Sequence, residues 1–286
     1  MANPATEDQR TLRGEVRLSG VGLHSGEMCE IIVRPAYVNA GITFIRDSVI
    51  IPAIAGNVVG TSRGATIGLG GVRIMTIEHL MAALRGCGVD NAQVEVIGSE
   101  IPALDGSAKP FVEAFESIGT ESQGKARRRY LLRKPVWAMK NGGYILASPS
   151  ESFSITYIMR YDHPMIGSQT IDFVFEESLF QREIAPARTF VLYEEVASLL
   201  TQRLAQGGSI SNTIVVWQDH FSCELGFPDE LVRHKALDTV GDLALLGGWL
   251  CADVVAVKSG HALNVQLAKM ISEMAVCDGW EDSVYA

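Results

Sequence analysis

The chain has 286 residues, enough for about two domains at roughly 150 residues each. With 47% apolar and 20% charged residues, its composition is that of a globular protein and argues against a disordered chain. The 33 acidic residues outnumber the 24 basic ones and leave a net charge of −9, so the chain lacks a broad cationic face, and no nucleic acid is expected as a partner.

The longest apolar stretch, residues 244–257, is 14 residues long and contains Asp253. A membrane-spanning helix needs roughly 18 apolar residues, so no stable membrane insertion is expected. Residues 1–13 are polar and mixed in charge, without the apolar core of a signal peptide, which makes a cytoplasmic location the default. Five cysteines, Cys29, Cys87, Cys223, Cys251 and Cys277, form no CxxC pair. Widely scattered and odd in number, they point to reduced thiols rather than a disulfide framework or a cysteine-based zinc site.

In chain order, residues 14–18 alternate as a strand, and residues 29–35 form another that stops at Pro35. Between them, residues 19–26 hold three glycines in eight positions, a turn in which backbone can approach another group closely. Residues 41–44 and 49–53 read as short strands. A helix is expected from Thr76, which can cap it, with Ile77, Leu80, Met81 and Leu84 at helical spacing and a stop near Gly86. Residues 91–97 resume the strand pattern, and residues 108–118 form a second helix entered through Asp105-Gly106-Ser107.

Residues 119–129 are polar and aperiodic and mark a domain boundary. Their dense basic run, Lys125-Ala126-Arg127-Arg128-Arg129, reads as a solvated linker. Beyond it, residues 144–147 and 153–161 are expected strands, and residues 190–204 a helix ending before Gly207-Gly208. A long helix is expected over residues 229–250, with a break at Gly247-Gly248, then a short strand over 254–257 and a closing helix over 262–274. Both halves thus run strands, helix, strand, helix, the pattern of two similar α+β layers facing each other.

Three places could carry chemistry. His234 and Asp238 are four residues apart, so on a helix they share one face and could grip a divalent ion, although that spacing alone also suits a surface ion pair. Glu78 and His79 are adjacent and diverge by about a hundred degrees on a helix, so they would take different jobs, His79 as ligand and Glu78 as base. On its own the pair could equally be the polar edge of an apolar helix. Two imidazoles and one carboxylate make the ligand set of a hydrolytic zinc site with a position open for water. His261, after Gly260 at a strand-to-helix turn, offers an acid for a leaving amine, or else caps a helix.

The chain then resembles the UDP-3-O-acyl-N-acetylglucosamine deacetylases, zinc enzymes of lipid A biosynthesis in Gram-negative bacteria. The matching segments are Gly20-Val21-Gly22-Leu23-His24-Ser25-Gly26, Thr76-Ile77-Glu78-His79-Leu80, Gly88-Val89-Asp90-Asn91 and Leu104-Asp105-Gly106-Ser107-Ala108. They continue as Ala187-Arg188-Thr189-Phe190, Val232-Arg233-His234-Lys235, Leu237-Asp238, Gly241-Asp242-Leu243 and Ser259-Gly260-His261-Ala262-Leu263-Asn264. The ordered set spans residues from about 9 to 270.

The resemblance implies an α+β fold of two similar domains, each a sheet layer packed with helices, with the active site in the cleft between them. Residues 1–122 would carry Glu78 and His79, and residues 130–286 would carry Thr189, His234, Asp238 and His261. It implies His79, His234 and Asp238 as ligands of Zn2+ (iron(II), Fe2+, can occupy similar sites) and Glu78 as general base. His261 would protonate the amine or steady the oxyanion, oriented by Asp242, with Thr189 aiding the oxyanion. Lys235 would reach the anionic UDP portion, and Phe190 and the apolar residues after it would line the acyl passage, with His24 near the substrate. The implied partner is a UDP-linked acylated N-acetylglucosamine, the implied reaction release of acetate from it, and the expected state a monomer.

This sequence departs from the family pattern at Val191 and Arg203, where glycines are usual, and lacks a lysine near Ser148. Val191 would narrow or shift the acyl passage. The loop from Trp217 to Asp229, with His220 and Cys223, is also unusual in content. Two other functions remain at this point: a paralogue acting on another acylated amino sugar, and a non-catalytic homologue that binds the nucleotide.

Overall fold

The computed structural model describes residues 7–274 and 276–278. Residues 1–6, part of the polar N-terminal segment, lie outside the described residues. The architecture is α+β, with several sheets and six helices among the described residues.

The first half is built on a five-stranded sheet in the order Val16–Val21, Met28–Pro35, Ala92–Ile97, Ile42–Arg46 and Val49–Pro52. Its neighbours are antiparallel except Ile42–Arg46 and Ala92–Ile97, which run parallel. Helix α1 (Glu78–Gly86) and helix α2 (Lys109–Ile118) belong to this half. The expected helical stripe of Ile77, Leu80, Met81 and Leu84 is buried, and burial stabilises such side chains by about 1.5–3 kcal/mol each.

A seven-stranded sheet dominates the second half, with Trp249–Val257 as its central strand. That strand pairs antiparallel with Gly143–Pro149 and parallel with Phe153–Arg160, and its first residues pair with Arg129–Leu131. This half also carries α3 (Glu177–Leu179), α4 (Tyr193–Thr201), α5 (Glu230–Ala244) and α6 (His261–Met274), of which α5 and α6 pack on the sheet. Helix α5 packs against the sheet, against α6 and, on its remaining side, against α1. The two halves therefore meet helix to helix.

Several expectations are corrected. Thr76 does not cap α1: it sits at φ 58°, and its hydroxyl donates to Glu100 at 2.7 Å, while the helix starts at Glu78. Residues 190–204 are not one helix, because Phe190–Leu192 is a strand paired in parallel with Ile214–Val216, and α4 follows it. The long helix ends at Ala244 rather than at residue 250, and at the expected break Gly247, at φ 68°, turns the chain into the central strand.

The polar, aperiodic residues 119–129 are not an irregular linker throughout, since Thr120–Ala126 is a strand antiparallel to Asp8–Leu12. Nor is the basic run solvated throughout. Arg127 is buried, with its Nε donating to Asp90 Oδ2 at 3.0 Å. Arg85 and Arg127 lie over the Trp249 ring, 4.1 and 4.2 Å from its centroid, and the Trp249 indole donates to Asp90 Oδ1 at 2.6 Å. Residues from both halves thus share one buried charged joint.

Candidate active site

Helices α1 and α5 cross closely because Gly241 lacks a side chain. A Cβ there would stand 2.1 Å from the Glu78 carbonyl oxygen. That approach sets His79, at the start of α1, against His234 and Asp238, one turn apart on α5. His234 Nε2 lies 3.4 Å and His79 Nε2 3.6 Å from Asp238 Oδ1, and the two imidazoles meet edge to face at 5.0 Å. One ligand atom from each residue falls within 4.8 Å of the others.

This donor set fits a divalent metal. Asp238 Oδ1 is buried and has no hydrogen-bond partner, an arrangement that costs free energy unless a cation completes it. His234 Nδ1 lies 3.0 Å from the Ala187 carbonyl, which fixes the tautomer that leaves Nε2 free to ligate. Burial, offset in part by Asp238, lowers the His234 pKa to about 3, so the ring is neutral. Burial would raise the Asp238 pKa, but the charged Lys235 beside it helps to outweigh this and the carboxylate stays ionised. The surface ion pair that the spacing alone allowed is ruled out by the burial of both residues.

Glu78 and His261 flank the cluster. Glu78 Oε2 accepts the Ala65 N–H at 2.9 Å, and its Oε1 lies 3.9 Å from His261 Nε2. Desolvation raises the Glu78 pKa, opposed by His261 and His79. His261 is the first residue of α6, and its Nδ1 bonds Asp242 Oδ2 at 2.9 Å. Burial disfavours the imidazolium, yet Asp242 and Glu78 prevail and raise the His261 pKa to about 10. Asn264 donates to the same Asp242 oxygen at 2.9 Å and accepts the Ser259 hydroxyl at 2.6 Å.

A cavity of about 630 Å³ opens over these groups. Glu78, His79, Thr189, Phe190, Val191, His234, Lys235, Asp238 and His261 all line it. Two other residues named from the sequence do not. Asp242 stands behind His261, and His24 is buried with its ring between the Arg63 carbonyl and the Ala205 N–H, while its neighbour Leu23 faces the cavity. Lys235 donates to Asp238 Oδ2 at 2.7 Å, and its Nζ lies 5.6 Å from the Phe190 ring centroid. Burial works against its charge, but Asp238 more than compensates and the lysine stays protonated.

Sequence reasoning missed Lys140 and Lys258, which also line the cavity and pair with no acid among the described residues. The signals were present: Lys140 precedes an Asn-Gly-Gly hairpin turn, and Lys258 stands three residues before His261. The cavity therefore combines an apolar wall of Leu23, Phe190, Val191 and Leu192 with lysines suited to an anion.

The segment that carries Thr189 is clamped to α5. Arg188 Nε donates to Glu230 Oε1 at 2.7 Å and its Nη2 to Oε2 at 3.0 Å, and the Glu230 side chain is 1% exposed. Arg188→Ala leaves that carboxylate without its cation and is expected to cost about 3 kcal/mol, read as a lower denaturant midpoint. Metal affinity should fall with it, because the neighbouring Ala187 carbonyl anchors His234.

The sequence model of a protein family described as LpxC, UDP-3-O-acyl N-acetylglycosamine deacetylase, matches residues 9–273. A Myxococcus xanthus protein named UDP-3-O-acyl-N-acetylglucosamine deacetylase is 42% identical over 282 residues, covering 96% of this chain and 89% of its own. A Chlamydia muridarum protein of the same name is 42% identical over 272 residues, covering 93% of this chain and 95% of its own.

Proposed function

The chain belongs to the UDP-3-O-acyl N-acetylglycosamine deacetylase family, and on that premise we propose that it removes the N-acetyl group of UDP-3-O-(3-hydroxyacyl)-N-acetylglucosamine, releasing acetate in the committed step of lipid A biosynthesis. The observation that carries this reading is the convergence of His79, His234 and Asp238 on one point, with Glu78 and His261 on the same cavity wall. Residues 1–122 and 130–286 act as two domains that each bring part of the site.

Zinc, or iron(II) in its place, held by those three side chains would supply Lewis acidity toward the amide carbonyl and the attacking water. Glu78 takes the proton of that water as general base, its carboxylate aimed by the Ala65 N–H. Thr189 offers a hydroxyl to the negative charge that develops on the carbonyl oxygen. His261, kept protonated and oriented by Asp242, delivers a proton to the departing amine.

Lys235, Lys140 and Lys258 face the anionic nucleotide, and Leu23, Phe190, Val191 and Leu192 take the acyl chain. His24 acts from behind Leu23, by holding the wall rather than touching substrate. One chain supplies every residue of the site, which supports action as a monomer. A nucleotide-linked substrate supports a cytoplasmic location, and among the described residues no helix is long and apolar enough to cross a membrane.

Acetate release compared between acylated and unacylated UDP-N-acetylglucosamine tests the substrate. The acylated form is expected to react at least tenfold faster in kcat/KM, since each buried methylene adds about 0.8 kcal/mol. Equal rates would remove the acyl chain from the reading.

The pH profile follows from the two flanking groups. Activity should be lost on the acid side as Glu78 takes up a proton above the ordinary glutamate range. It should be lost on the alkaline side as pH rises through the elevated pKa of His261. Asp242→Asn removes the main charge that raises that pKa, so the alkaline limb of kcat/KM should move to lower pH. An alkaline limb unchanged in this variant would take His261 out of its role.

A further inference from the structure

One buried carboxylate near the site has no place in that chemistry. Glu100 has no exposed surface, and no basic side chain pairs with it among the described residues. Neutral donors surround it instead. Its Oε1 accepts the His24 N–H at 2.9 Å and the Thr76 hydroxyl at 2.7 Å, and its Oε2 accepts the Ser25 N–H at 2.8 Å. A charge buried this way persists only where its lone pairs are filled, so all three donors are held in place together.

The donors come from two segments that matter to the cavity. The first is the turn after strand Val16–Val21, closed by the Gly26 N–H on the Gly22 carbonyl at 3.0 Å. The turn wraps the carboxylate so tightly that a Cβ on Gly22 would stand 2.5 Å from Glu100 Oε2. Leu23, beside His24 in this turn, lines the same cavity as Phe190, Val191 and Leu192, and its carbonyl accepts the Gly207 N–H at 3.0 Å. The second segment is Thr76, in the left-handed region at φ 58° and two residues ahead of Glu78. Such a backbone state persists only where its surroundings hold it, and the bond to Glu100 does so at the point where the chain turns into α1.

We propose that Glu100 is a positioning residue for this reaction: its carboxylate ties the Leu23 wall to the entry of α1, and so sets the distance between the acyl-binding wall and the Glu78–His79 pair. It acts through Leu23 and Thr76 and touches no substrate. The consequence is a residue that governs discrimination among acyl chains from outside the cavity. This rests on the deacetylase reading above.

The test uses the full-length protein and a series of UDP-3-O-acyl-N-acetylglucosamines of increasing chain length. Glu100→Gln keeps the size and one acceptor oxygen, but sets an NH2 group against a backbone N–H, that of Ser25 or, with the amide turned over, that of His24. KM for the preferred chain length is expected to rise about tenfold, the loss of one buried charged hydrogen bond, with kcat within about threefold of the parent and metal content unchanged. The preference for one chain length over its neighbours should flatten. Leu23→Ala should flatten it in the same way without disturbing Glu100, and Thr76→Val, which removes one of the bonds, supplies the comparison should Glu100→Gln fail to fold.

An unchanged chain-length profile in the variants, with the parent enzyme active, would overturn the proposal. So would a kcat that falls equally on every chain length together with the melting temperature, the mark of a purely structural role. A parent enzyme that turns over no acylated UDP-sugar would instead sink the deacetylase reading.

Discussion

Glu78→Gln is expected to lower kcat for acetate release by roughly two to four orders of magnitude, the usual worth of a positioned general base. Glutamine has the same shape, and its oxygen can still accept the Ala65 N–H that now binds the carboxylate at 2.9 Å. The fold and the neighbouring His79 should therefore survive, and metal content should match that of the parent. What disappears is the proton acceptor. The site tunes that group: burial raises its pKa above the ordinary glutamate range, opposed in part by His261 and His79. Turnover and metal content measured on one sample make the test. A fully metallated variant with turnover within threefold of the parent would remove Glu78 from the mechanism.

Gly241→Ala is expected to have the second large effect, without altering a single ligand. The added methyl would stand 2.1 Å from the Glu78 carbonyl oxygen and 2.8 Å from its carbonyl carbon. Both are backbone atoms and cannot rotate aside, so α5 and α1 must separate. His79 would then leave the group whose ligand atoms now lie within 4.8 Å of one another. Overpacking of this kind typically costs about 1–3 kcal/mol of stability. Displaced support of a metal ligand typically costs about 10–100-fold in affinity. Competition with a chromophoric chelator and a thermal melt read the two effects. Gly14→Ala, where a methyl meets nothing within 4 Å, should move neither.

Only part of the proposed metal cluster was legible as local geometry, and joining His79 to His234 and Asp238 across the α1–α5 crossing rested on the family resemblance. Four residues along a helix fix His234 and Asp238 on one face, and Glu78-His79 sits in an apolar stripe whose period is plain. What the sequence left open was set by distant contacts. Phe190-Val191-Leu192 suits a helix or a strand equally well, and the pairing that decides it is with Ile214–Val216, more than twenty residues on. The family resemblance named Phe190 as an acyl contact, but not the strand that presents it.

Thr76 has the composition of a helix cap, yet its hydroxyl is taken by Glu100 from another segment, a competition that no local pattern reveals. Arg127 looked like one of several solvated basic residues, and only the approach of Asp90 and Trp249 from other parts of the chain buries it. Lys140 and Lys258 escaped notice for the same reason. They come together through adjoining strands, Val136–Lys140 with Gly143–Pro149 and the latter with Trp249–Val257, and each lysine alone is an ordinary surface charge.

On the proposed mechanism, one cluster, built where α1 meets α5, makes this chain a metal-dependent amide hydrolase. Acetate release from UDP-3-O-(3-hydroxyacyl)-N-acetylglucosamine should be followed on protein stripped by a chelator and then titrated with zinc. No turnover is expected in the stripped protein, with recovery that saturates near one equivalent and with His79→Ala failing to recover at that ratio. Turnover that persists through chelation, or protein that binds zinc at this site and releases no acetate, would contradict the mechanism.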